Sequence, residues 1–367
     1  MALPKTPVVS LKGKAFERGQ HYGSQAGEMI RKNMDLYYDL WGKLWGAKRP
    51  EVLKYCASLT PLIGEYDAEI LEEMQGMAKG TGLSLDEIVA LNARYEMVFA
   101  QTSLSQARGG CTSAAALPQV TKQGHTFIGQ NWDYKTRFQE LSVILEVEQE
   151  NRPNILAHVE AGALGHKGMN SAGLACCLNA LVSSRDKFEE TIPFLVVGRA
   201  VLNADSMSEA IKAVVRAKVG VSFNFLIAHR DGEAMDLEAS PVDVGFLHPQ
   251  DGILTHSNHF IALSNRSDMI DVFKAEAPDS LYRAHRARQL LEQEKGQIDV
   301  SSFQRVFRDH FSHPNSICRH VDQREPEPRH LATLSSVVMD LTARAFYFTE
   351  GTPCQNEYHK MTSRVLG

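Results

Sequence analysis

The chain has 367 residues, 43% hydrophobic and 23% charged, with a formal net charge of −5. That balance excludes a disordered, collagen-like or coiled-coil chain and predicts a soluble globular protein of two domains or one large layered domain. With a negative net charge and no basic stripe interleaved with aromatics, nucleic acid is not an expected partner.

The first residues, MALPKTPVVSLKGKAFERG, lack the apolar core of a signal peptide. No stretch reaches the roughly 20 apolar residues of a bilayer span, so a cytoplasmic protein without a membrane partner is expected. From about residue 14 to 105 the pattern is helical. FERGQHYGSQAGEMIRKNMDLYYDLWGKLW repeats apolar residues at three- and four-residue spacing, and Trp41 and Trp45 form a stripe read as core. SLDEIVALNARYEMVFA opens with Ser84 as N-cap and Glu87 at the capping-box position.

After Gly110 the pattern turns to β. CTSAAALPQ, HTFIGQNW, LSVILEVEQE, NILAHVEAG and GLACCLNALV are short runs between turn clusters such as TKQG and ENRPN, which predicts antiparallel hairpins. Within the last run Cys176 and Cys177 should face opposite sides of a sheet. A helix is expected at SMSEAIKAVVRA, capped by Ser206 with Glu209 completing the box, and strands resume around the RDG turn of SFNFLIAHRDGEAMDLEAS. Two helices follow near 279–295 and 300–310, VDQREPEPRH reads as a loop, and ATLSSVVMDLTARAFYFTEG reads as strand, turn, strand. The order predicts an α+β fold with sheets stacked between helical layers.

The six cysteines, Cys56, Cys111, Cys176, Cys177, Cys318 and Cys354, form no C-x-x-C pair, and reduced thiols are expected. Cys111 stands apart by its context, ARGGCTSAAALPQ. A thiol becomes a nucleophile when a neighbouring base removes its proton, and an N-terminal residue can use its own α-amine, whose ordinary pKa is about 7.7–8.0. In a precursor that amine exists only after the Gly110–Cys111 bond breaks. Glycine at 110 removes side-chain bulk beside the carbonyl that Cys111 would attack. The plain alternative is a small buried hydrophobe.

GCTS opening a strand, GQNWDY at 129–134, EAGALGHKGMNSAGLACCLNAL at 160–181, THSNHF at 255–260 and ATLSSVVMDL at 332–341 follow one another over nearly the whole chain. Together they resemble the acyl-coenzyme A:6-aminopenicillanic acid acyltransferases (isopenicillin N acyltransferases) and their bacterial relatives. The resemblance implies an N-terminal-nucleophile hydrolase fold, an αββα sandwich whose precursor cuts itself before the cysteine. Residues 1–110 would then be a helical small chain that stays associated as a partner, and 111–367 the catalytic core. By the same resemblance Cys111 first attacks the Gly110 carbonyl and later the substrate, Asp133 receives the new α-amino group, and Asn258 donates to the oxyanion. Asn179 with the backbone of Ala180 lines the acyl pocket, and Arg319 neutralises charge near the site, with Arg324 and Arg329 as competing positions.

The expected activity is hydrolysis or transfer of the acyl group of small N-acyl or aminoacyl amides through a Cys111 thioester. No cofactor is required, and acyl-coenzyme A is an admissible donor. A rival enzyme keeps the chain intact and uses His125, His166 or His259 as base; a rival from another class is a silent binding protein of the same fold. His256 with His259, or Asp309 with His310 and His313, offer metal-ligand types but lack zinc-site cysteine pairs or an H-E-x-x-H motif, so no metal is expected.

Overall fold

The computed structural model describes residues 5–99 and 110–367. Strand β1 (Val8–Lys12) precedes six helices, α1 (Ala15–Gln25), α2 (Gly27–Trp45), α3 (Arg49–Tyr66), α4 (Ala68–Thr81), α5 (Leu85–Asn92) and α6 (Arg94–Phe99). The β-rich stretch holds β2 (Thr112–Ala116), β3 (Phe127–Lys135), β4 (Ser142–Glu148), β5 (Ile155–Glu160), β6 (Lys167–Asn170) and β7 (Leu174–Ala180). After α7 (Phe194–Asn203) and α8 (Met207–Val215) come β8 (Phe223–His229), β9 (Glu233–Ala239), β10 (Val244–Leu247) and β11 (Ile253–His256). The chain closes with α9 (Phe273–Glu276), α10 (Asp279–Glu292), α11 (Val300–Phe307), β12 (Leu331–Asp340), β13 (Ala345–Phe348) and β14 (His359–Met361).

Two sheets result, one in the order β1-β4-β5-β6-β7-β8-β9-β10 and one in the order β11-β2-β3-β12-β13-β14. Side chains alternate between faces along each strand, so one run of residues feeds two cores. In β4, Leu145 packs toward the N-terminal helices while Ile144 packs between the sheets. In β12, Val337 joins the inter-sheet core and Val338 the core beneath α10 and α11. The layers are therefore helices, sheet, sheet, helices: an αββα sandwich of the expected α+β class. Cys176 and Cys177 divide between the helix-facing and inter-sheet cores, and all six cysteines are free thiols.

The capping box expected at the start of α5 is formed. The Ser84 hydroxyl accepts from the Glu87 amide at 3.2 Å and the Glu87 carboxylate accepts from the Ser84 amide at 2.9 Å. Ser206 caps α8, but the Glu209 carboxylate turns to Lys212 and the reciprocal bond is not made. The sequence pattern marked no strand at the N-terminus; β1 forms there and pairs with β4 in parallel. The intervening helices give the chain ample length for a parallel crossover, which a tight hairpin could not. Among the described residues no helix is long and apolar enough to cross a membrane.

Candidate active site

The site begins with strand register. Thr112 of β2 faces Asn131 of β3 in an antiparallel pair, so continuing two residues back sets Gly110 beside Asp133. On the other edge of β3, Asp133 faces Thr333 of β12, whose hydroxyl donates to Asp133 Oδ1 at 2.6 Å. The Asp133 carboxylate thus sits between the Gly110–Cys111 junction and a fixed donor. The approach is close: a Cβ on Gly110 would lie 2.7 Å from Asp133 Oδ2 and 2.4 Å from Arg319 Nε. Only glycine fits there without moving both side chains.

Two buried arginines surround the junction. Arg283, on the inward face of α10, donates through Nη1 to the Gly110 carbonyl at 3.0 Å, the Cys111 carbonyl at 2.6 Å and Thr112 Oγ1 at 2.9 Å. Its Nη2 donates to Asn258 Oδ1 at 2.9 Å, and its Nε to Asp279 one helical turn earlier, also at 2.9 Å. Arg319 donates to Asp133 Oδ2 at 3.2 Å and Asn315 Oδ1 at 2.6 Å, and is paired with Asp279 as well. Arg324 and Arg329 instead pair with Asp322 and Glu325 in the same loop. Of the three candidate arginines, Arg319 alone contacts Asp133.

Asn258 follows β11, and its side-chain amide donates to the Ala180 carbonyl at 2.9 Å while its carbonyl takes the Arg283 bond. Arg283 thereby links Asn258 to the Gly110–Cys111 junction. Asn179 is held differently: it donates to Ser113 Oγ at 2.9 Å and accepts from Gln130 at 2.7 Å, tying the end of β7 to β2 and to the middle of β3. A cleft of about 490 Å³ opens on the Arg319 side, lined in part by Asp279, Tyr282, Asn315 and Leu331.

Burial dominates the proton affinities here. It raises the Cys111 thiol to about 12, with the Asp133 charge adding to the rise. It also raises Asp133 to about 7, against the pull of Arg319, Arg283 and the Thr333 hydroxyl. Lys167, stacked with Nζ 4.7 Å from the centre of the Trp132 ring, is lowered by burial to about 7. Among the described residues the Cys111 thiol has one partner at hydrogen-bond range, the Asp133 carbonyl at 4.0 Å.

The candidate histidines have partners other than the Cys111 thiol. His125 pairs with Asp340 at 2.9 Å, and His166 packs edge-on against Trp132. His256 binds Glu238 at 2.9 Å, and His259 contacts the Ser280 hydroxyl at 2.9 Å. Asp309 pairs with Arg286 at 2.8 Å. Sequence reasoning missed Arg283, Asp279, Thr333 and Lys167. The Asp279–Arg283 spacing was the one available signal, since residues four apart on a helix meet.

Residues 120–355 match the family of acyl-coenzyme A:6-aminopenicillanic acid acyl-transferases. The chain belongs to this family. A member from Emericella nidulans, acyl-coenzyme A:6-aminopenicillanic-acid-acyltransferase 40 kDa form, is 30% identical over 347 residues, 94% of this chain and 92% of that protein. Among solved structures, a variant of the conjugated bile acid hydrolase of Clostridium perfringens gives a TM-score of 0.49 at 15% identity, covering 70% of this chain and 94% of that one. The penicillin V acylase of Agrobacterium tumefaciens gives 0.47 at 15% identity, covering 69% and 86%. The family match includes Asp133, Asn179, Ala180, Asn258 and Arg319; Gly110 and Cys111 precede its first matched residue.

Proposed function

We propose that the chain is a self-processing amide hydrolase or acyltransferase in which Cys111 is the nucleophile twice. The observation that carries this reading is the state of the Gly110–Cys111 junction. Its carbonyl oxygen is held by Arg283 at 3.0 Å, and its glycine is pressed against Asp133. A guanidinium on the carbonyl oxygen stabilises negative charge that develops there, an effect worth about 3 kcal/mol for one well-placed donor.

In the first reaction the thiol gives its proton to Asp133 and the sulfur adds to the Gly110 carbonyl carbon. The C–N bond then breaks, the nitrogen takes up the proton to become an α-amine, and Gly110 is left as a thioester on Cys111. Water hydrolyses that ester, releasing the Gly110 carboxylate and regenerating the thiol. In the second reaction the new α-amine serves as base. The thiol takes the acyl group of a small N-acyl or aminoacyl amide, and water or an amine removes it. Asn258 retains a second amide N–H for the oxyanion, and Arg319 holds Asp133 in place. No cofactor enters; acyl-coenzyme A, named for the Emericella relative, is an admissible donor. Action in the cytoplasm, where thiols stay reduced, belongs to the same proposal.

A histidine base within an intact chain finds less support, because no described histidine reaches the Cys111 thiol. A silent binding protein would have no need of a cation on the scissile carbonyl. The deciding experiment is the intact mass under denaturing conditions. Two species summing to the precursor plus one water, the larger beginning at Cys111, are expected, with a single uncut species for Cys111→Ala. Two-chain maturation of the alanine variant would end the proposal.

A further inference from the structure

Around the backbone of Arg319, side chains from three segments converge. The ligand atoms of His310, Cys318, His320 and Cys354 all lie within 4.8 Å of one another. His310 Nε2 is 3.1 Å from His320 Nε2, which is also 3.4 Å from Cys354 Sγ and 3.8 Å from Cys318 Sγ. One imidazole nitrogen offers either a single N–H or a single lone pair, so it cannot satisfy three neighbours by hydrogen bonding. Four donors around a shared centre can. Metal–nitrogen bonds of about 2.0–2.1 Å and metal–sulfur bonds of about 2.3 Å make a tetrahedron with edges of roughly 3.3–3.8 Å, and the three separations fall around those values.

We propose that His310, Cys318, His320 and Cys354 form a structural zinc site. Two thiolates balance the charge of the divalent ion and two neutral imidazoles complete the tetrahedron; binding releases the two thiol protons to solvent. The segments are already tied together. Arg308, just beyond α11, donates to the Pro353 carbonyl at 2.8 Å, and the Cys318 amide donates to the Asp309 carbonyl at 3.0 Å. His310 and Cys354 lie at the surface, which gives the ion an entry path. This departs from the expectation of no metal, which looked for paired cysteines.

The placement gives the site a purpose. Cys318 and His320 flank Arg319, so a metal clamping both neighbours would fix the backbone from which Arg319 reaches Asp133, Asp279 and Asn315. This positioning role rests on the proposed chemistry, whereas metal binding does not. The test is metal analysis of the full-length, untagged chain after dialysis against zinc under reducing conditions. Stoichiometric zinc is expected, falling to about a tenth or less in Cys354→Ser and in His310→Ala, with circular dichroism confirming that both variants fold. Cobalt in place of zinc should give thiolate-to-metal charge transfer and tetrahedral ligand-field bands. Cys111→Ala should retain full zinc, so failure of self-cleavage and failure of metal binding are read separately. A chain without bound zinc, zinc retained undiminished by both ligand variants, copper taken up in its place, or a Cys318–Cys354 disulfide persisting in the reduced protein would each overturn the proposal.

Discussion

At the scale of single residues, proton affinity and space make different demands on the junction. Burial raises Asp133 to about 7, so below that pH the group is protonated and cannot take the Cys111 proton, while above it the carboxylate is available. Self-cleavage monitored by mass should therefore accelerate as pH rises through about 7 and then level off; a flat profile would remove Asp133 as the acceptor. Gly110→Ala tests space, since its Cβ would meet Arg319 and Asp133 at 2.4 and 2.7 Å. Displacing groups from the attacking geometry should slow cleavage by about a hundredfold, and a rate equal to wild type would sink that argument. Cys111 stood out as a candidate because of the motifs that accompany it along the chain, since its own GGC context suits a small buried hydrophobe as well. Arg283 was not, because α10 carries Arg283, Arg286 and Arg288 close together and periodicity alone does not say which is buried. The four proposed zinc ligands escaped notice because the fold, and not their spacing, gathers them.

Among elements, strands bounded by turn clusters were readable even where both faces are buried, as in β2, β3, β7 and β12, whereas β1 was missed although it alternates exposed and buried residues. Helix α7 was missed because eight of its ten residues are buried, leaving little polar contrast to mark a helical period. Strand β6 was missed because KGMN is short and contains glycine. The packing of α1 on α4 is more telling. Cβ atoms added at Gly19 and Gly76 would lie 1.8 Å from the Glu73 carbonyl oxygen and 1.9 Å from the Phe16 carbonyl oxygen, so backbone touches backbone along this contact. Gly76→Ala should cost about 1–3 kcal/mol or more, because backbone cannot step aside as a side chain can. Gly42→Ala, whose Cβ would find its nearest neighbour 3.9 Å away, is the matched control. Thermal unfolding should separate the two; equal shifts in Tm would contradict the packing argument.

For the whole molecule, the cores join residues on both sides of the Gly110–Cys111 bond. Strand β1 completes the eight-stranded sheet, and two buried ion pairs cross the divide, Glu73 with Arg199 at 2.8 Å and Arg94 with Glu160 at 3.1 Å. Removing one partner from such a pair costs about 3–5 kcal/mol, because the other charge is left uncompensated. If the chain cuts itself as proposed, the two products should thus co-elute in high salt, and Glu160→Gln should lower the denaturant concentration that separates them. Separation of the wild-type chains by salt alone would show that the shared core does not hold them. This interlocking was hidden from the sequence, which suggested a boundary at 110 but not that β1 would cross it. The reach of the junction's contacts has a further consequence. Arg283 meets Gly110 across 173 residues of chain, and Arg319 meets Asp133 across 186. On the proposed chemistry, no nascent chain can cut itself until its last third has been synthesised and docked. The broken bond then becomes a permanent receipt of correct assembly, carried by every active molecule and withheld from those that misfold.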